Sequence, residues 1–277
     1  VGRSHTGGSV ARGLNAYVKV NVSHRDGRLW GNTWHAAGAS MTGTIVDMHI
    51  HTTNGASDSQ LRPEEMAVIA RRIGLTGVNV TEHDRVWDRY TVEAFRRAHP
   101  YLFLSPGMEV STDMGHIVVV GLTEYVSGIR RCAELRRVVD AVGGFMIVAH
   151  PFRHFFDPVT FPRRGERPPE LTPENLARMP VFKYVHGIEV LNGANTMREN
   201  YLALQVAKLL GKPGTGGSDA HSTSGVGYYC TLFEKPLRSV EEMLEELHAG
   251  RVRPVMGLPE GRLRGFTLDD VPEEVAR

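Results

Sequence analysis

From Thr44 onward the chain alternates short apolar runs with segments of helical periodicity, and run after run stops at a histidine or an acid. The runs are TIVDMHIH, GVNVTEH, YLFLSPGMEV, HIVVVGL, GFMIVAH, GIEVLNG and the glycine-rich KPGTGGSDAH. Between the first two lies a helix over Pro63–Ile73, with Pro63 in its first turn, Met66, Ile69, Ala70 and Ile73 on one face, and Gly74 as its stop. Further helices are expected around Asp88 to Ala98, from Ile129 to Val142, from Thr172-Pro173, and from Thr196 to Leu210. A last amphipathic helix runs through Leu247, with Ser239 and Glu242 spaced for a capping box. Such repeated alternation implies a parallel sheet clothed in helices, because parallel neighbours need a long crossover. The number of units favours a closed barrel over an open sheet. In α/β folds chemistry is done at the carboxyl ends of the strands, which is where the polar residues fall.

A chain of 277 residues can form one large barrel or two modest domains. Its hydrophobic share of 41% and charged share of 23% are those of an ordinary globular protein. No apolar run approaches bilayer length and the Gly/Ser-rich start has no signal-peptide core, so a cytoplasmic protein without a membrane partner is expected. Cys132 and Cys230 form no CxxC pair and no disulfide framework; they read as small buried apolar residues. A net charge of +1 argues against a partner held by bulk electrostatics. Nothing supplies the basic, aromatic-lined groove of a long nucleic-acid strand, whereas a small anionic substrate held by one or two arginines is compatible. The basic tract PRRGERPP, from Pro162 to Pro169, reads as a solvated loop.

Residues 1–43 stand apart. They are rich in glycine, serine and polar residues and carry Trp30 and Trp34 but none of the metal-type motifs. AYVKVNVSH alternates and leads through Asp26-Gly27, so the segment is an N-terminal extension, either a hairpin or a leader. The catalytic domain is placed at 44–277.

His49 and His51 lie two apart on an extended run, so both imidazoles face the same side, as does Asp47. The spacing returns in Asp219 and His221. Reading only the strand ends gives His49, His51, His83, Glu109, His116, His150, Glu189 with Asn192, Asp219 and His221, which takes in six of the 13 histidines. Scattered core histidines would not follow strand ends so regularly, and a donor set of imidazole and carboxylate suits divalent metal. His24, His35, His99, His154 and His186 lack that context and read as structural or exposed.

With these residues in view, the chain resembles the polymerase and histidinol phosphatase (PHP) superfamily. DMHIHT, VTEHD, PGMEV, GHIVVVG, AHPFR, GIEVLNG and GGSDAH occur in that family's order from about residue 44 to 221. The segment at about 222–255 looks like its C-terminal, PHP-associated extension, and residues 1–43 lie outside the match. The resemblance implies a distorted (β/α)7 barrel with two or three divalent ions, commonly manganese, zinc or iron. By position, His49, His51, Glu109 and Asp219 would hold the first ion, and Glu109 would bridge to a second held by His116 and His150. A third would sit on His83, His221 and a carboxylate. Many relatives place that acid five residues after the second histidine, where this chain has Ala56; Asp58 is the candidate here.

Neighbouring metals generate a hydroxide at neutral pH and clamp the attacking and departing oxygens of an in-line displacement at phosphorus. The expected function is therefore metal-dependent phosphoester hydrolysis of a small phosphorylated molecule such as a nucleotide or histidinol phosphate. Arg153, three residues after His150, is spaced to fork onto phosphate oxygens. Asp84, beside His83, would orient a ligand or handle the leaving-group proton, and Asp47 would orient a ligand histidine. A second reading keeps the metals and turns the same nucleophile on an amide, lactone or other carbonyl. A third, resting on Ala56, is a non-catalytic metal-binding module. The loop from Phe155 to Pro169 carries Arg163, Arg164 and Arg167 but no recognisable code, and neither substrate nor oligomeric state is set by the sequence.

Overall fold

The computed structural model describes residues 43–163, 165 and 169–270. The expected strand in AYVKVNVSH, the Asp26-Gly27 turn, Arg164 and Arg167 lie outside them. Strand β1 (Thr44–Ile50) leads into α1 (Pro63–Ile73), β2 (Gly77–His83) and α2 (Arg89–Ala98). Then come β3 (Phe103–Thr112), β4 (Gly115–Val120), α3 (Cys132–Ala141), β5 (Phe145–Val148) and two single-turn helices, α4 (Thr160–Arg163) and α5 (Pro173–Leu176). The second half holds β6 (Gly187–Asn192), α6 (Met197–Leu210), β7 (Gly214–Gly217), β8 (Tyr229–Phe233), α7 (Val240–His248), β9 (Val252–Met256) and β10 (Arg264–Gly265).

All ten strands join one sheet in the order β10-β9-β8-β1-β2-β3-β4-β5-β6-β7. β1, β2 and β3 are parallel, as are β5, β6 and β7, but β4 is antiparallel to both of its neighbours. The cause is local. Only Asp113 and Met114 separate β3 from β4, too few for a crossover, so the chain must fold back as a hairpin. Gly115, at φ 102°, takes the backbone through that turn. β8, β9 and β10 pair antiparallel on the other side of β1, with α7 joining β8 to β9.

The sheet curls until the far end of β7 meets β1. Asp219 N–H donates to His49 O at 2.7 Å, His51 N–H donates to Ala220 O at 3.0 Å, and Ile50 and Ala220 form a parallel bridge. Glycines permit this approach: a Cβ on Gly217 would lie 2.4 Å from His49 Cβ, and one on Gly216 would lie 2.5 Å from Cys230 O. The architecture is thus a mixed α/β fold around a curled, ten-stranded half-barrel. β1 to β7 keep the expected order, with the hairpin standing in for one strand-helix unit.

Helix ends follow the sequence closely. Asp88 caps α2 by accepting the N–H groups of Tyr90 and Thr91, and Thr196 with Glu199 forms a full capping box on α6. On α7 the box is half made: Ser239 accepts Glu242 N–H, but the Glu242 carboxylate reaches back to Arg238 N–H at 2.7 Å. Three apolar clusters hold the layers. One packs α3 and α6 on β4 to β6 through Leu135, Val139, Ile188 and Val206. Another packs α1 and α2 on β1 to β3 through Met66, Ala70, Phe95 and Leu104, and the third seats Met243 and Leu247 of α7 against Val46, Val120 and Phe145. Each such side chain contributes about 1.5–3 kcal/mol on burial, and both cysteines are free and buried as expected. Among the described residues no helix is long and apolar enough to cross a membrane.

Candidate metal centre

The strand ends converge. His49 Nε2 and His51 Nε2 lie 3.0 Å apart. From His49 Nε2, Glu109 Oε2 and Asp219 Oδ1 are each at 3.5 Å; from His51 Nε2 both are at 3.3 Å. Two donors bound to one ion at ~2.1 Å each lie about 3–3.5 Å apart, so these four atoms have the separations of a shared coordination sphere. Glu109 divides its oxygens: while Oε2 faces that group, Oε1 lies 2.9 Å from His116 Nδ1 and 3.2 Å from His150 Nε2. His83 Nδ1 is also 3.0 Å from Glu109 Oε2. Among the described residues four overlapping groups satisfy the spacing for an ion: His49 with His51 and Glu109, His49 with His150 and Asp219, Glu109 with His116 and His150, and His51 with His83 and His221.

Asp58 reaches the last of these groups. Its Oδ2 stands 3.3 Å from His83 Nε2 and 3.5 Å from His221 Nε2, and the His51 ring stacks on each of theirs at a centroid distance of 4.3 Å. Ala56 is buried and its N–H donates to Thr52 O in the turn that carries Asp58 outward. The loop is pinned at both ends. Ser59 Oγ bonds His51 O and His221 O, Gln60 N–H bonds His221 O at 2.8 Å, and Glu82 accepts Thr52 N–H, Thr52 Oγ1–H and Trp87 Nε1–H.

Backbone strain concentrates here. Among the described residues four non-glycines have positive φ: Asp84 (51°), His150 (30°), His154 (64°) and Asp219 (53°). Two are candidate ligands, and the others adjoin His83 and Arg153. Such conformations cost roughly 1–3 kcal/mol each and persist only where the surroundings enforce them. Every one of the four N–H groups is tied: Asp84 to Glu109 O, His150 to Glu189 Oε2, His154 to Glu199 Oε1 and Asp219 to His49 O.

The electrostatics ask for a cation. Burial works against a charged His49, but Asp219, Glu189 and Glu109 together overcome it and hold the ring well above the ordinary histidine value. Burial pushes His51 down to about 4, aided by the charge on His49. Burial would also raise Glu109 and Asp219, yet their histidine neighbours, with Arg153 for Asp219, leave both below the usual carboxylate range. Carboxylates of Glu109, Glu189 and Asp219 thus crowd a buried space that the His49 imidazolium and the Arg153 guanidinium only partly neutralise, and the donors present fit divalent metal.

The remaining expected site residues fall as follows. Asp84 turns its carboxylate to Ser111 N–H (3.0 Å) and the Arg130 guanidinium (2.8 Å), bracing the end of β2 against β3. Arg153 points inward: its Nη2 bonds Asp219 Oδ2 and, at 2.8 Å, Asn192 Oδ1, and its Nε bonds Asn195 Oδ1 at 3.1 Å. Asp47 accepts backbone N–H groups of His49, Ser218 and Gly227 and no imidazole, so it ties β1 to the segment after β7; burial pushes it up to about 6. The acceptor on a ligand ring is instead Glu189, whose Oε1 lies 3.0 Å from His49 Nδ1. The sequence offered one signal for it, the acid within GIEVLNG, read together with Asn192. Glu82 had no such signal, and its role in the Asp58 loop depends on a contact across 30 residues.

A family model described as PHP-associated matches residues 197–252, and no curated protein matches the chain. Among solved structures, PsfC from Pseudomonas syringae PB-5123 is similar with a TM-score of 0.54 at 20% identity, over 80% of this chain and 95% of that one. A two-domain protein from Bacteroides vulgatus ATCC 8482, described as containing a PHP-like metal-dependent phosphoesterase, gives 0.53 at 22% identity, over 82% and 69%. An amidohydrolase from Chromobacterium violaceum with bound sulfate gives 0.46 at 16% identity, over 75% and 96%. At these identities the likeness is one of fold.

Proposed function

We propose that this chain is a member of the PHP superfamily and a metal-dependent phosphoesterase acting on a small phosphorylated molecule, with two or three divalent ions of manganese, zinc or iron; the PHP-associated match over residues 197–252 and the fold likeness support the reading. The observation that carries the reading is Glu109, buried between two sets of histidines with one oxygen turned to each. Bound divalent ions supply a nucleophile at neutral pH and neutralise charge on phosphoryl oxygens. The chain's own part is to hold the donors and shape the approach. His49, His51, Glu109 and Asp219 have side chains at most 5% exposed, whereas His221, His83, His116 and Asp58 are 31% to 58% exposed. The cluster therefore opens on that second side, and a small anion fits the approach better than a long strand does. Asp58 in contact with His83 and His221 supports a third ion position despite Ala56, the residue on which the non-catalytic reading rests.

Phosphate release from a panel of phosphomonoesters with added manganese tests the proposal. Turnover should vanish in His49→Ala and Asp219→Ala; a metal-loaded protein that turns over no phosphoester sinks it. One observation favours hydrolysis of an amide, lactone or other carbonyl on the same cluster: Arg153 is engaged by Asp219 and two asparagines. Competition by inorganic phosphate or vanadate separates the two, strong inhibition favouring the phosphoester and none favouring the carbonyl.

A further inference from the structure

Asn192, the last residue of β6, is fully buried, and both ends of its side-chain amide are in use. Oδ1 accepts Arg153 Nη2–H and Ala194 N–H, each at 2.8 Å. Nδ2 donates to Glu189 Oε2 at 3.0 Å and Asp219 Oδ2 at 3.4 Å. The partners fix which end is which, because a rotated amide would set donor against donor at Arg153 and Ala194 and acceptor against acceptor at the two carboxylates. The backbone is held as firmly: Asn192 N–H donates to Asn200 Oδ1 at 3.0 Å, and Asn200 Nδ2–H donates to Asn192 O at 3.2 Å.

Two lines of contact leave this amide, and both end on candidate ligands. One passes through Glu189 to the His49 ring and to His150 N–H. The other reaches Asp219 directly and through Arg153, so that Asp219 Oδ2 carries both the guanidinium and the amide, while Oδ1 alone faces His49 Nε2 and His51 Nε2. We infer that Asn192 is the positioning residue of the metal centre and that Arg153 is its charged partner, holding Asp219 to one-oxygen ligation instead of serving first as a phosphate clamp. The inference rests on the metal-binding part of the proposed function and is independent of the bond cleaved. Its physical basis is that partners behind ligands set ring orientation, tautomer and denticity, and that losing them typically weakens metal about 10–100-fold.

Cobalt(II) loaded into the full chain, followed by its visible absorption and by competition with a chromophoric chelator, is the test. Asn192→Ala should weaken the tightest cobalt site by about 10–100-fold. Arg153→Met should change the cobalt band in shape and intensity, as Asp219 Oδ2 is released to the ion, and Arg153→Lys should return part of the wild-type spectrum. Should Asn192→Ala lose its cooperative unfolding transition, Arg153→Met, at a partly exposed position, decides alone. Cobalt affinity within twofold of wild type and an unchanged spectrum in Arg153→Met would overturn the inference, as would a weakened phosphate inhibition in that variant with the cobalt spectrum intact. Wild-type protein that takes up no cobalt overturns the metal reading itself, a failure distinct from wild-type uptake with unresponsive variants.

Discussion

The inner and outer halves of the cluster are built differently. His49, His51 and Asp219 come from β1 and the end of β7, are buried, and are held by the β1–β7 closure and by Glu189, Asn192 and Arg153. His83, His116, His221 and Asp58 stand partly exposed, and Asp58 rides on a loop. Buried charged donors are costly to desolvate, so a site of that kind exists only where folding fixes it and is rigid as a result. Exposed donors cost little and can shift. On the proposed function, the difference predicts that the inner position binds metal more tightly than the outer positions, which exchange more readily. Glu109 touches both halves, with one oxygen turned to each, and His51 is grouped with His83 and His221 as well as with His49 and Glu109.

The largest effect is therefore expected at Glu109. Glu109→Gln should bring bound metal below one ion per chain and cut turnover by about a thousandfold, roughly 4 kcal/mol in the barrier; retention of two ions would break the comparison at its centre. Next comes His51→Ala, which should strip the inner ion and, through the stacked His83 and His221 rings, disturb the outer one. Elemental analysis after dialysis reads both variants. Asp58→Ala should do less, releasing a single ion and leaving the rest at wild-type affinity. If it empties the whole cluster, inner and outer are not separable.

The smallest effect lies at the opposite, amino-terminal end of the strands. His186 precedes β6, accepts Met146 N–H on Nδ1 and stacks on Phe145. Burial, helped by the nearby charge of Arg136, pushes it down to about 4 from 6.5. A neutral, half-buried histidine with a depressed value adds stability that is fully present above about pH 6.5 and is lost as pH falls toward about 4. His186→Asn, which keeps an acceptor, should flatten the fall of Tm over that window whether or not metal is bound. Equal slopes in the two proteins would show that acid sensitivity comes from elsewhere.

Much of this was legible in the sequence because it is local. Proline at the first turn and glycine after the last place α1 over Pro63–Ile73, and period-two runs ending in histidine locate β1, β2 and their ligands. What escaped depends on partners distant in sequence. β8 to β10 end in no ligand and pair antiparallel, so the strand-helix rhythm passes over them. Asp47 shares a face with His49 by alternation, yet its oxygens go to Ser218 and Gly227, 171 and 180 residues on, and Glu189 takes the ring across 140 residues. Arg153 was spaced for a phosphate, and only the curl of the sheet shows Asp219 standing in front of it.

Metal content tests the central claim most directly. Wild-type protein, loaded with manganese, zinc or iron and dialysed, should retain at least two ions per chain by elemental analysis, and Glu109→Gln, folded by circular dichroism, should retain fewer than one. Wild-type protein holding less than one ion, or Glu109→Gln holding as many as wild type, would contradict a cluster organised around Glu109.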